Sequence, residues 1–249
     1  MTQIKIRLSC LALVAVSFCA IPLAAQFPEK FTNLKVLPQD TPRQELQSTM
    51  RGFALALGVR CEYCHIEKAG GKKVEMDFAA DDKDTKKTAR IMLEMVSSIN
   101  RDYMSKIPNT PPMKVQCVTC HHGLPEPRTL LSVLAEAVEE KGIDAAVTLY
   151  RDLRQRYYGG GQYDFGETSL NQLTETLLAQ KKNKEALTIA ELNFDSNHPD
   201  SIWSYHILAM AHQANGQIDK AIADYRKGLE LHPDDDWAKG QIASLSIPK

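Results

Sequence analysis

Apolar residues recur along most of this chain at the three-to-four-residue spacing of helices. Leu46, Met50, Phe53, Ala54 and Leu57 fall on one such stripe. Ahead of it, Thr41-Pro42-Arg43-Gln44 reads as an N-cap, a proline at the first helical position and a glutamine at the third. Gly58 can end the helix in a left-handed turn. Ala89, Met92, Val96, Ile99 and Tyr103 make a second stripe, predicting a helix capped by Asp84 and running to about Met104. Past residue 128 the pattern repeats. Ile143-Asp144-Ala145-Ala146 with Tyr150-Arg151 returns as Ile218-Asp219-Lys220-Ala221 with Tyr225-Arg226. The expected fold class is all-α.

The amino terminus reads as a secretory signal over residues 1–25. Lys5 and Arg7 precede an apolar run over 8–20 that is too short for a comfortable membrane span, and Leu23-Ala24-Ala25 offers a small-residue cleavage site. Phe18 before Cys19 is too bulky for a lipid-anchored cysteine. An exported chain is expected, periplasmic or otherwise extracytoplasmic, secreted across the inner membrane and compatible with membrane association. Losing the signal removes two positive charges and takes the net charge from −1 to −3. That balance gives no pull toward nucleic acid, and 43% apolar with 24% charged residues is ordinary for a soluble protein.

Cys10 and Cys19 leave with the signal, so four cysteines carry the chemistry. They fall as Cys61-Glu62-Tyr63-Cys64-His65 and Cys117-Val118-Thr119-Cys120-His121, two copies of C-x-x-C-H, the attachment signature of c-type haem. Thiols at i and i+3 lie on one side of a helical turn and reach the two vinyl groups of one porphyrin. The next residue, histidine, then presents its imidazole to the iron. Structural zinc would use two C-x-x-C knuckles without a histidine after each pair. A thioredoxin-like dithiol would sit in a βαβ pattern that is missing here. The expected cofactors are two covalently bound haem c groups.

Each iron needs a second axial group. Met50 is the methionine on the stripe that leads into Cys61. Met92 and Met95 both lie near the apolar face of the second helix, and periodicity does not choose between them.

The order of these features resembles the cytochrome c subunit of photosynthetic reaction centres. The matching residues are 46–50 before the first motif, Phe78-Ala79-Ala80-Asp81-Asp82, Thr88-Ala89-Arg90-Ile91-Met92-Leu93-Glu94-Met95 with Ile99-Asn100, and Val115-Gln116 before the second motif. The resemblance covers about residues 30–127. It implies repeats of a helix, a loop and an attachment motif on a second helix, with the methionine of the first helix on the iron. So read, Met50 and His65 ligate one haem and Met92 and His121 the other, Met92 being preferred because it follows the family's Ala-Arg-x pattern. That family carries four haems where this chain has two motifs. A family histidine that serves a further haem falls, in the Asn100 register, at Lys106. The usual Arg after the motif is His122, read as an exposed polar residue.

Leu124-Pro125-Glu126-Pro127 reads as a linker between a cytochrome domain over 26–127 and a repeat domain over 128–249. Residues 201–233 fit a tetratricopeptide repeat: Leu208 and Ala209 in the first helix, Gly216 at the turn, Ala221 and Tyr225 in the second, Pro233 at the close. Gly228 stands where alanine is usual. Glu185-Ala186-Leu187 and Pro199 suggest a middle unit, and Gly159-Gly160-Gly161 marks an insertion between the first and second of about three units. Such arrays present a concave surface to a protein partner. His198, His206, His212 and His232 are read as surface or packing residues.

Histidine and methionine together fill both faces of an iron and raise its potential. The first reading is therefore an exported dihaem electron carrier, not an enzyme, with a redox protein or membrane electron-transfer complex as partner, docked through the repeats. The second is a dihaem redox enzyme, a peroxidase or small-molecule oxidase, with one open iron; Glu45, Glu94 and His122 are its available acid–base groups. The third is a binding scaffold braced by haem.

Overall fold

The computed structural model describes residues 31–68, 75–108, 111–197 and 200–247. The signal region, Cys10, Cys19, His198 and Pro199 lie outside them. The described residues are all-α apart from one two-stranded antiparallel ladder, β1 (Ile66–Glu67) with β2 (Met76–Asp77), in the register Ile66 to Asp77 and Glu67 to Met76.

Helix α1 spans Arg43–Leu57 and ends as its sequence requires, with Gly58 in the left-handed region at φ 65°. Its start differs from the expectation. Pro42 is the capping residue, and the Thr41 hydroxyl donates to the Pro38 carbonyl at 2.6 Å instead of capping the helix. A threonine can satisfy a local carbonyl as readily as a helix terminus. Helix α2 spans Asp84–Ser98, with Asp84 inside its first turn and paired to Lys87. The chain stays helical to Lys106, but through a π turn at Ile99–Tyr103 and a 3₁₀ turn at Met104–Lys106. The change of pitch takes Tyr103 off the predicted stripe and leaves it exposed. Helix α3 is the short segment Cys117–His121.

The rest is a helical array: α4 (Leu130–Lys141) with α5 (Ile143–Tyr157), α6 (Glu167–Ala179) with α7 (Asn183–Ser196), α8 (Ile202–Ala214) with α9 (Ile218–Leu231), and α10 (Asp236–Leu245) packed on α9. Three hairpins and a closing helix match the repeat pattern. Ala146, Ala186 and Ala221 are each fully buried at the same place in the second helix of a hairpin. Tyr150 and Tyr225 follow one turn later and are also buried, as is Ala190 in the middle unit. A buried polar ladder crosses the hairpins. Asn193 donates to Asn171 at 2.7 Å, Asn197 donates to Asn193 at 2.9 Å, and Arg154 donates to Asn197 at 2.7 Å.

The two halves differ sharply in how they are held. Of the 25 buried apolar side chains among the described residues, three (Leu46, Ala56 and Leu124) precede residue 128. The repeats build a side-chain core in three successive clusters. The amino-terminal half does not, and it relies on hydrogen bonds and ion pairs between segments.

Candidate functional site

The first motif follows α1 by three residues and folds as a 3₁₀ turn, Cys61–Tyr63. Cys64 and His65 both donate their amides to the Cys61 carbonyl, at 3.2 and 3.0 Å, which gathers the two thiols and the imidazole on one turn. The start of α2 holds this turn from outside. Thr85 donates its hydroxyl to the Tyr63 carbonyl at 2.6 Å, and Lys83 donates to the Glu62 carbonyl.

The environment favours the neutral form of the His65 imidazole. Burial lowers its pKa, and the Lys86 and Lys83 charges push the same way, while the Phe78 carbonyl opposes them. The Phe78 ring meets the His65 ring edge-on at 5.1 Å between centroids. Phe78 is itself fixed by its neighbours. The Asp77 carboxylate accepts from the Ala79 and Ala80 amides at 3.0 and 2.9 Å, and Lys86 donates to the carbonyls of Phe78, Ala79 and Ala80. Asp81 lies at the centre of this corner, 2.6 Å from Lys35, 2.8 Å from Arg90 and 3.2 Å from Lys86. The Arg90 and Lys35 hydrogen bonds hold its carboxyl far below the usual carboxylate range. Burial pushes the Cys64 thiol upward, against the Thr85 hydrogen bond and the lysine charges.

The second motif is the helix α3. The Thr119 hydroxyl accepts the Gln116 amide at 3.0 Å, and the Thr119 amide donates to the Gln116 carbonyl at 3.0 Å, so the turn starts on a closed cap. His122 at φ 49° and Gly123 at φ 83° then reverse the chain. The reversal brings the Leu124 carbonyl to 2.9 Å from His121 Nδ1. A proton on Nδ1, bonded to that carbonyl, leaves Nε2 with its lone pair free for a metal. His122 is exposed, as its sequence position suggested.

One helix spans the two motifs. Thr85 and Lys83 at its start hold the first turn. At its far end the Asn100 amide donates to the Val115 carbonyl and accepts the Val115 amide, both at 2.8 Å, two residues before Cys117. The fifteen residue steps from Thr85 to Asn100 correspond to about 22 Å of helix. A second tie closes the exit of the motif. Gly123 donates its amide to the Ala56 carbonyl at 2.9 Å, and α1 packs against α3. The Gly123 carbonyl lies so close to Gly58 that any side chain at Gly58 would collide with it. Met50 is half-buried on a helix that touches the second motif and leads covalently into the first. Met92 and Met95 lie on α2, 41% and 47% exposed, beside Ile91 at 65%.

The donor set fits covalently bound haem. Each motif offers two free thiols and an imidazole on one turn. His121 has its Nδ1 hydrogen bond to the Leu124 carbonyl in place. Exposed apolar side chains on α2, in a half with only three buried apolar residues among those described, suit a large apolar group. Among the described residues no group of three or more His, Cys, Asp or Glu is arranged to hold a bare metal ion, and no helix is long and apolar enough to cross a membrane.

Both motifs and the methionine helices are visible in the sequence. The Asn100–Val115 clamp, the Asp81 hub and the Gly58–Gly123 crossing emerge only in the folded chain. Asn100 and Asp81 stand inside segments that carry the family resemblance, which by itself gives them no role.

The family model of the photosynthetic reaction centre cytochrome C subunit matches residues 24–156, just over half of the chain, and a tetratricopeptide repeat model matches 202–235. Cytochrome c-554 of Chloroflexus aurantiacus is 39% identical over 100 residues, and the photosynthetic reaction center cytochrome c subunit of Thermochromatium tepidum is 31% identical over 102. Each alignment covers 40% of this chain and 22% of the relative, so the chain spans about a fifth of the length of the curated relatives it matches. Among solved structures, the first TPR domain of the human RPAP3 protein aligns with 47% of this chain and 87% of its own, at 18% identity and a TM-score of 0.34.

Proposed function

The chain belongs to the photosynthetic reaction centre cytochrome c subunit family, and from that membership we propose that it is an exported dihaem c-type cytochrome that transfers electrons and docks its redox partner through the repeats. The observation that carries the proposal is the pair of C-x-x-C-H turns tied to the two ends of α2. When bound, haem c supplies a one-electron ferric–ferrous couple.

In this reading Cys61 and Cys64 hold one haem and Cys117 and Cys120 the other. His65 and Met50 would ligate the iron of the first haem, and His121 and Met92 that of the second. The lowered pKa of His65 and the carbonyl bonded to His121 Nδ1 both suit a ring nitrogen offered to a metal. A histidine and a methionine from the chain on each iron would leave substrate no entry, which favours a carrier over a catalyst. The division at 26–127 and 128–249 separates a half that builds almost no core of its own from one that does. The repeats would then offer their surface to a redox protein or a membrane electron-transfer complex outside the inner membrane. The alternative, a dihaem peroxidase or small-molecule oxidase, requires one distal position to be open.

The test is optical spectroscopy of the full chain from an export-competent host with haem-attachment machinery. Two covalent haems per chain, low-spin in both oxidation states and unresponsive to carbon monoxide, is the expected result. A high-spin fraction or a carbon monoxide shift would put the enzyme first.

A further inference from the structure

We propose that Gln162, in the segment joining the first two hairpins of the repeat array, is a positioning residue for the His121 imidazole. The proposal rests on reading His121 as an iron ligand. The route from one residue to the other is short. His121 Nδ1 is bonded to the Leu124 carbonyl at 2.9 Å, and Leu124 is 7% exposed. Gly123, one residue earlier, is held on two sides. On one side its amide donates to Ala56 and its carbonyl crowds Gly58. On the other, a side chain at Gly123 would lie 3.1 Å from Gln162 Nε2. Gln162 is backed in turn by Gly160, where any side chain would collide with its amide oxygen. That oxygen is buried and has no hydrogen-bond partner among the described residues.

Gln162 therefore acts as a wedge. A buried amide oxygen without a partner is costly, and here the side chain is retained where it fills the space between the repeat array and the left-handed turn at His122 and Gly123. Removing the wedge gives Gly123 and Leu124 room to move and lets water compete for the Leu124 carbonyl. The hydrogen bond on Nδ1 makes the imidazole a stronger donor to the metal. Weakening it destabilises the ferric state and raises the potential. The corner that carries the first motif is fixed by Asp81 and α2 instead. Through Gln162 the repeat array bears on one redox centre and not the other. A residue that merely packed the loop would alter stability and leave both potentials where they are.

The experiment is a spectroelectrochemical titration of the full holoprotein, comparing wild type with Gln162→Ala and Gln162→Met. Haem content is measured on every sample. With Gln162→Ala, one of the two midpoint potentials is expected to rise and the other to stay. Gln162→Met keeps the volume without the amide and is expected to restore the wild-type pair. Two haems with both potentials unmoved in Gln162→Ala would overturn the positioning role alone. A wild-type chain carrying fewer than two haems would overturn the dihaem reading, and the inference with it.

Discussion

Asn100 and Val115 exchange two hydrogen bonds of 2.8 Å, a side-chain amide pairing with a backbone as a neighbouring strand would. The pairing bridges the loop between α2 and the second attachment turn and lies in the π turn that ends α2. Each such bond contributes about 0.5–1.5 kcal/mol net, so Asn100→Ala is expected to cost about 1–3 kcal/mol in denaturant unfolding of the holoprotein. An unchanged unfolding midpoint would mean that the loop is held by other contacts.

Asp81 makes the first corner sensitive to acid in a defined window. Its folded pKa lies far below the ordinary 3.8, because Arg90, Lys35 and Asn33 donate to the carboxylate. A depressed carboxylate pKa contributes stability that is fully present above the unfolded value and is lost as pH falls through the folded one. Asp81→Asn removes that contribution. The stability gap between wild type and variant should be constant near neutral pH and narrow as pH falls below about 4. Thermal unfolding of both proteins across that range checks it, and a gap independent of pH would exclude a charge-based role.

What could be read from the sequence follows the range of the interactions. The attachment turns are legible because thiols and imidazole lie within five residues, and the left-handed stop at Gly58 because glycine is the residue such a stop needs. The hairpins are legible because Ala146, Ala186 and Ala221 recur in the same setting. Thr41 misled because the Pro38 carbonyl competes with the helix for its hydroxyl. Tyr103 misled because the π turn shifts the phase of the stripe. Contacts such as Gly123 with Gln162 join segments that no local pattern links, and both residues look like ordinary loop positions until the chain is folded.

Gly228 stands where the repeat usually has alanine, and the structure gives no steric reason for it. A side chain there would meet Tyr205 Cβ at 3.6 Å, His206 Cδ2 at 3.7 Å and Ile202 Cγ1 at 3.7 Å, all ordinary contacts. Glycine inside a helix costs about 1 kcal/mol relative to alanine. Gly228→Ala is expected to stabilise the protein by about that amount, seen as a higher unfolding midpoint. A lower midpoint would show that the repeat needs close approach at this point.

The methionine assignment makes the sharpest demand on the proposed ligation. Met92 shares its side of α2 with Ala89 and Val96, three and four residues away, whereas Met95 is turned about 100° or more from those neighbours. Both are partly exposed, so packing alone does not require either. If Met92 completes one coordination sphere, Met92→Ala should remove the red iron–methionine band of one haem and let carbon monoxide bind it. Met50→Ala should do the same to the other haem, and Met95→Ala should change neither. Loss of the band in Met95→Ala with the band intact in Met92→Ala would move the ligand one helical turn along α2. Intact bands in Met50→Ala would remove α1 from the ligation of either iron, and would leave its role as the packing partner of the second attachment turn.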